Sequence, residues 1–309
     1  MRRSEGLVFD EPSLCCFERE AGSARLVAAG RLAQPMLDRT PANMYISKPL
    51  QRGVLQDMAS ARELLSYALA RAVPRKSMTG PRGVFGIPAD ATEAERGALL
   101  TAARDAGFKS ARLVAEPYLA ALGAGLPVDK PTGTMIVECG AGTTEVAVIS
   151  LGNICVTRSV RSGGASLDKA ISDHLHFRHK FLVGEASAEN LKIAYVLKRT
   201  SSPDEPGSLS VKGRCLTSGM PSTLEVPVTE LDEVVEKHVR PIVDVIRDAL
   251  LETPPELSRD IHDRGIVLTG GSSVMPLLRT MIEESTGLAV SVAQEPEHGV
   301  ARGLQRLLA

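Results

Sequence analysis

The sequence predicts an α/β protein with mixed sheets, folded as two halves. Three observations carry this. β-type apolar runs alternate with segments of helical periodicity along the whole chain. The length, 309 residues, suits one large or two medium domains. The polar, proline-bearing stretch 127–132 reads as a hinge between the halves.

Residues 5–32 alternate like paired strands, in runs 6–10, 13–17 and 25–30. Turn residues fill 38–43. Leu64, Leu65, Ala68, Leu69 and Ala72 recur at helical spacing and predict a helix over Met58–Ala72. A polar loop, 74–81, leads to a short buried strand, 83–88. Thr92 caps the next helix, Glu95 is its capping-box partner, and Gly107 stops it. Residues 111–115 form a strand, and Glu116-Pro117 opens a small-residue helix over 118–125. An apolar run from Met135 enters the turn Gly140-Ala141-Gly142-Thr143-Thr144, and a second, 146–151, leaves it.

Residues 156–160 extend that sheet. Ser166 or Asp168 starts a helix reaching about Phe177, and 184–196 is a second one. A polar loop, 201–207, precedes a β-rich stretch to Val228. Val234, Val235, Val239, Ile242, Val243, Ile246 and Leu250 stripe a long amphipathic helix over 230–251. Residues 265–269 are a buried strand running into Gly270-Gly271-Ser272-Ser273. A helix starts at Pro276, 289–293 is the last strand, and Gly299–Leu308 is a closing helix.

Apolar content of 43% and charge of 24% are those of a soluble globular protein. A net charge of −1 leaves no electrostatic footprint for nucleic acid. The lack of Trp and 3% aromatics exclude stacking platforms for bases. Cys15, Cys16, Cys139, Cys155 and Cys215 are odd in number, and no pair has zinc spacing. They read as reduced, mostly buried thiols of a cytosolic protein. No signal-peptide core follows Met1, and no apolar run approaches membrane-spanning length. Peripheral membrane contact needs only a few exposed apolar side chains and stays compatible.

Four constellations bear on chemistry. The turn Gly140–Thr144 has little bulk, so its backbone N–H groups can cradle a phosphate. The hydroxyls of Thr143 and Thr144, with the Glu138 carboxylate, suit a hydrated Mg²⁺. Gly270-Gly271-Ser272 joins a strand to a helix, a setting where a nucleotide lies against backbone. Glu185, Glu189 and Lys192 fall near one helical face. Glu116 sits at a strand-to-helix junction, where a carboxylate gains from the helix dipole and can orient an attacking water. Each alone has a plain structural reading: a tight hairpin, a glycine turn, a solvated charged face, a helix N-terminus. His174, His176 and His179 invite a metal reading, but no acidic or Cys partner has a supporting spacing, and a solvated face is expected.

Together and in this order, the four elements resemble the actin-like ATPase superfamily, and most closely its MreB family of bacterial actins. Further stretches carry the same resemblance: Asp10-Glu-Pro-Ser13, the Met-Leu-x-Arg-Thr-Pro-x-Asn run at 36–43, and Pro-Leu-x-x-Gly-Val at 49–54. So do Gly-Ala-Gly-Leu-Pro-Val at 123–128, Thr-Thr-Glu-Val-Ala-Val-Ile-Ser-Leu at 143–151, Pro-Pro-Glu-Leu at 254–257 and Gly-x-Val-Leu-Thr-Gly-Gly at 265–271.

The resemblance implies a two-domain actin-like fold of mixed sheets flanked by helices, with ATP and Mg²⁺ bound. Domain I would hold residues 1–128 plus 299–309, and domain II 129–298, with a small subdomain near 166–228. Glu116 resembles the catalytic, water-orienting glutamate. Glu138, Gly140, Ala141, Gly142, Thr143 and Thr144 resemble the second phosphate loop, with Glu138 on the metal side through water. Glu185, Glu189 and Lys192 resemble the adenine and ribose contacts, and Gly270, Gly271 and Ser272 the adenosine loop.

The implied activity is that of a filament-forming ATPase acting in cell shape and cell-wall synthesis. Its partners would be copies of itself or full-length MreB-like subunits, peripheral inner-membrane contacts and cell-wall-synthesis proteins. The loop 75–80 matches the membrane-touching region of the family, although its two basic groups and one Met make a weak anchor.

The sequence also departs from the family. A first phosphate hairpin, opened by Asp-x-Gly-Thr, precedes the segment matched by 6–13 in MreB-like chains, and this sequence contains no such motif. The expectation is therefore an N-terminally incomplete fold with weak ATP binding and impaired hydrolysis. A mis-assigned start, a degenerate scaffold paralogue and a partner that supplies the missing surface would each account for it. Glu138 stands where the family has Asp, and Ala141 where it has Gly, which costs about 1 kcal/mol if that position needs φ > 0. The alternatives from other classes are a non-polymerising ATPase or chaperone, and a nucleotide-independent scaffold.

Overall fold

The computed structural model describes residues 6–20, 22–51, 54–73, 80–203 and 205–308. The chain divides into two compact units, Met1–Gly123 with Val300–Ala309, and Ala124–Gly299. Residues 75–79 of the basic loop lie outside the described residues.

In the first unit, strands β1 (Cys15–Glu20), β2 (Ser23–Ala29) and β3 (Met44–Ser47) form an antiparallel sheet in the order β2-β1-β3. Alternation along β1 feeds two small cores. Cys16 packs with Leu14, Ala28 and Ala33 on one face, while Cys15 and Phe17 pack with Ala29 on the other. The expected strand over 6–10 is corrected: Gly6 makes only an isolated bridge, and Leu7–Asp10 is irregular. There the chain spends its polar groups on a knot: Glu11 accepts from Tyr67 Oη at 3.2 Å, Arg71 Nη1 at 3.0 Å and the Arg31 amide at 2.9 Å.

After the small hairpin of β4 (Leu50–Gln51) and β5 (Val54–Leu55) comes α1 (Met58–Ala72), capped by Asp57, whose carboxylate accepts from the Ala59 amide at 3.0 Å. Strand β6 (Arg82–Ile87) and β7 (Ser110–Ala115) are parallel neighbours joined through α2 (Glu93–Asp105). The capping box at Thr92 forms as the sequence predicts, with the Thr92 amide donating to Glu95 at 2.7 Å and the Glu95 amide to Thr92 at 3.3 Å. Helix α3 (Glu116–Gly123) follows β7 directly.

The second unit is built on strands β8 (Thr134–Cys139), β9 (Thr144–Ser150) and β10 (Asn153–Val160), an antiparallel meander. Helix α4 (Gly164–His179), the short strand β11 (Phe181–Leu182), helix α5 (Glu185–Ser201), and strands β12 (Ser208–Cys215) and β13 (Pro221–Pro227) come next. β11, β12 and β13 make a small antiparallel sheet. Helix α6 (Val228–Glu252), α7 (Pro255–Arg264), β14 (Ile266–Thr269), α8 (Pro276–Thr286), β15 (Val290–Val292) and α9 (Gly299–Leu308) complete the chain. β14 inserts parallel to β8 and β15 parallel to β14, so the main sheet runs β10-β9-β8-β14-β15 and is mixed.

Every residue of β8 and β9 is buried. Both faces of these central strands are covered, which explains their continuous apolar runs. The α6 stripe, Val235, Val239, Ile242 and Ile246, joins Val146, Val148, Leu167, Ile171 and Leu268 in the core of this unit.

The helices differ from expectation in several places; α5, for one, runs on to Ser201 rather than ending at 196. α4 starts at Gly164 rather than at Ser166 or Asp168, because the Ser166 hydroxyl folds back to accept the Gly163 amide at 2.8 Å. α7 has no counterpart in the predicted elements. The expected solvated face of His174, His176 and His179 is also corrected. His174 and His179 are partly buried, and both reach Glu230 on α6.

The turn after β14 is possible only with glycine. Gly270 has φ 87° and ψ 158°, a region other residues avoid. A Cβ there would lie 2.2 Å from the Cys139 carbonyl oxygen at the end of β8. Gly271, with open space around it, has no such constraint. We expect Gly270→Ala to lower stability by roughly 2–4 kcal/mol, combining backbone strain and overpacking. Gly271→Ala should shift it by less than about 0.5 kcal/mol. Equilibrium urea unfolding of both variants checks this; equal midpoints would contradict it.

Candidate functional site

In the second unit, four segments meet where β8 ends. The Gly140 amide donates to the Thr143 carbonyl at 2.9 Å and closes the β8–β9 turn. The first turn of α4 is stitched onto it: the Gly164 amide donates to the Gly140 carbonyl at 3.0 Å, and the Ala165 amide to Ala141 at 2.8 Å. Gly163 crosses so closely that a Cβ would sit 2.6 Å from the Gly140 oxygen. From the β14 side, the Ser272 hydroxyl donates to the Gly140 carbonyl at 3.3 Å. Around Gly164, a Cβ would meet Ser272 Oγ at 3.1 Å and Lys192 Nζ at 3.3 Å. So Gly140, Gly164, Lys192 and Ser272 converge on one spot.

Lys192 is held there by Asp168, at 2.9 Å, and donates to the Gly164 carbonyl at 3.3 Å. Burial pushes the Asp168 carboxyl up; Lys192 pulls it back, and the nearby charges of Glu189 and Glu185 push it up further. Glu185 and Glu189 are exposed at the start of α5, and their charges reach this pair. Sequence reasoning missed Asp168 and Gly163-Gly164 as parts of the site. The Gly-Gly pair was the available signal.

Two expectations about the turn are corrected. Ala141 does not have positive φ, so replacing a glycine here carries no backbone strain. The Thr144 hydroxyl is already engaged inside the protein. It is fully buried and donates to the Ser162 carbonyl at 2.6 Å, tying the turn to the start of α4. Thr143 is thus the hydroxyl left for a ligand.

Glu138 and Glu145 are directly opposite across the β8–β9 ladder and both are buried. A carboxylate oxygen of each lies within 4.8 Å of the other. Two like charges this close in a dry place call for a cation or a shared proton. Glu145 is a further residue that the sequence reading did not single out.

In the first unit, Glu116 is the first residue of α3, half-buried beside Gly86, whose Cβ would lie 3.0 Å from the Glu116 Cγ. Desolvation pushes its carboxyl up to about 7.

Ser162, one residue ahead of the crossing glycine, lies within hydrogen-bond reach of the His238 ring, 3.3 Å from Nε2. Burial, aided by the Lys192 charge, pushes His238 down to about 4. The neutral ring is therefore the native form. The unfolded chain takes up the proton first, so this contribution is intact above about pH 6.5 and is lost as pH falls toward 4. We expect His238→Gln to flatten the stability loss across that window by up to about 3 kcal/mol. NMR titration should show the native ring neutral at pH 5; a midpoint near 6.5 would contradict this.

Comparison with known proteins gives a consistent result. The family model for MreB/Mbl protein matches residues 1–309. Cell shape-determining protein MreB of Escherichia coli (strain K12) is 38% identical over 304 residues, which span 97% of this chain and 87% of that protein. The crystal structure of MreB5 of Spiroplasma citri bound to ADP superposes with a TM-score of 0.89 at 29% identity, covering 97% of this chain and 89% of the other. The same protein bound to AMPPNP gives 0.87 at 28% identity, with the same coverage. The fold is actin-like, and the chain belongs to the MreB/Mbl family.

Proposed function

We propose that this protein is an actin-like cytoskeletal subunit acting in cell-shape determination, and that it binds ATP with Mg²⁺. One observation carries the nucleotide reading: the β8–β9 turn, the start of α4, Ser272 and Lys192 converge on one glycine-lined surface. That surface offers close backbone approach, a hydroxyl and a fixed cation, the donors a polyphosphate needs. The relatives MreB5 bound to ADP and to AMPPNP support the same reading.

The chain fits the implied groups. Gly140, Ala141, Gly142 and Thr143 would cradle phosphate, and Gly270, Gly271 and Ser272 would back the adenosine. Lys192, held by Asp168, would meet the ribose or phosphate side, with Glu185 and Glu189 beside it. The buried pair Glu138 and Glu145 suits a hydrated divalent cation. When bound, Mg²⁺ would neutralise phosphate charge. In this reading the first unit is domain I and the second is domain II. α4, α5 and the sheet β11-β12-β13 make the small subdomain.

Glu116 would act as the water-orienting base. A carboxyl raised to about 7 is matched to proton transfer near neutral pH. We expect Glu116→Gln to slow phosphate release by about 10²–10⁴-fold while sparing nucleotide affinity. The wild-type rate should rise as pH passes 7, and the variant should lose that step. Unchanged release would leave Glu116 as a helix N-terminus alone.

The working partner would be another MreB-like subunit, stacked head to tail, since a heterologous contact that does not close propagates as a filament. Contacts with the inner-membrane surface and with cell-wall-synthesis proteins belong to the same reading. Among the described residues, no helix is long and apolar enough to cross a membrane. Sedimentation with ATP and Mg²⁺, alone and with an MreB relative, should show pelleting or co-pelleting. Soluble monomer in both cases would remove the cytoskeletal reading.

A further inference from the structure

A cluster in the second unit, outside the nucleotide surface, has no part in the reading above. His174 and His179 lie on the last turns of α4, and Glu230 on the first turn of α6. Both imidazole Nε2 atoms contact the same Glu230 Oε1, the one from His179 at 2.6 Å. One ligand atom from each of the three lies within 4.8 Å of the others. The side chains are 18%, 23% and 10% exposed, so the pocket is mostly shielded from water.

The two histidines are five residues apart, a spacing that points side chains to different sides of an uninterrupted helix. They meet at the end of α4, where Lys180 turns left-handed at φ 52° and ψ 43°, because both Nε2 atoms reach the same Glu230 oxygen. The sequence could not announce this, since Glu230 is 51 residues beyond His179.

We propose that His174, His179 and Glu230 bind a divalent transition-metal ion, with Zn²⁺ the best match. Two imidazoles and one carboxylate are a known zinc donor set, which leaves a fourth position for water or a further ligand. Imidazole ligands suit Zn²⁺ and its first-row neighbours, whereas Mg²⁺ prefers oxygen. The site therefore need not compete for the nucleotide's cation. On binding, each ring keeps its proton at Nδ1 and turns the Nε2 lone pair to the ion; any second proton leaves to solvent. Arg178 is the competing cation, its Nε 3.4 Å from the same Oε1, but that side chain is 63% exposed and can swing into water. The ion would clamp the end of α4 to α6. The rival is a metal-free knot in which Arg178 and the two imidazoles satisfy Glu230 by ion pair and hydrogen bonds.

The test is titration of the full chain, stripped of metal, with Zn²⁺ and separately with Co²⁺. The expected result is one site per chain with tetrahedral Co²⁺ absorption that Zn²⁺ bleaches. His174→Gln and His179→Gln should each weaken Zn²⁺ binding by about a hundredfold or more, beyond what loss of a supporting contact costs. His262→Gln, an exposed histidine on α7, should leave it unchanged. Circular dichroism checks that the variants fold. In the unmodified chain, NMR should show Zn²⁺ shifting the Nε2 resonances of His174 and His179 and not those of His262. No binding, affinity equal in all the variants, or unshifted rings in the unmodified chain would each overturn the proposal in favour of the knot.

Discussion

The carbonyl oxygen of Cys139, at the end of β8, leaves no room for a side chain on the residue that crosses it from β14. The next carbonyl, that of Gly140, does the same to Gly163 at the start of α4. These two backbone-on-backbone crossings bring three separate stretches of sequence to one place. The remaining contacts follow from them. α4 can donate its first amides to the β8–β9 turn only because Gly163 lets it approach, and Ser272 reaches the Gly140 oxygen only because Gly270 bends the chain. A glycine surface of this kind binds by backbone dipoles, which need no side-chain ordering when a ligand arrives.

Around that frame the charges are placed in opposition. Lys192 is fixed by Asp168, which is itself burdened by Glu185 and Glu189. The lysine's positive charge in turn helps keep His238 neutral behind Ser162. On the strand side, Glu138 and Glu145 confront each other in a dry place. One region thus presents a held cation and the other two facing carboxyl groups, the arrangement a nucleotide polyphosphate with its metal ion would complete.

Much of the fold was legible because its signals are local. The α2 capping box, the α6 stripe, the α1 span and the closing helix each follow from residues within a few positions of one another. What escaped was either short or long-range. β11 has two residues. α7 is a mostly polar helix with Ile261 as its buried residue, and its signals sit at its ends: Pro255 and Glu256 at the start, Arg264 in the last turn and Gly265 just past it. Asp168, Glu145 and Glu230 matter through partners on other elements, and no spacing rule links them. Ala141 failed in the other direction, because the strain assumed for it depends on a backbone angle that the sequence does not state. The site's glycines and hydroxyls were legible as a set only through their order along the chain. Their distances came from the crossings.

In the proposed reading these crossings build the nucleotide surface. Hydrogen-exchange mass spectrometry, with and without ATP and Mg²⁺, tests it most directly. Peptides covering 138–144, 163–168 and 268–273 should gain protection together, while peptides covering 174–179 and 228–232 stay unchanged. Nucleotide binding that leaves those three peptides unprotected would contradict the account.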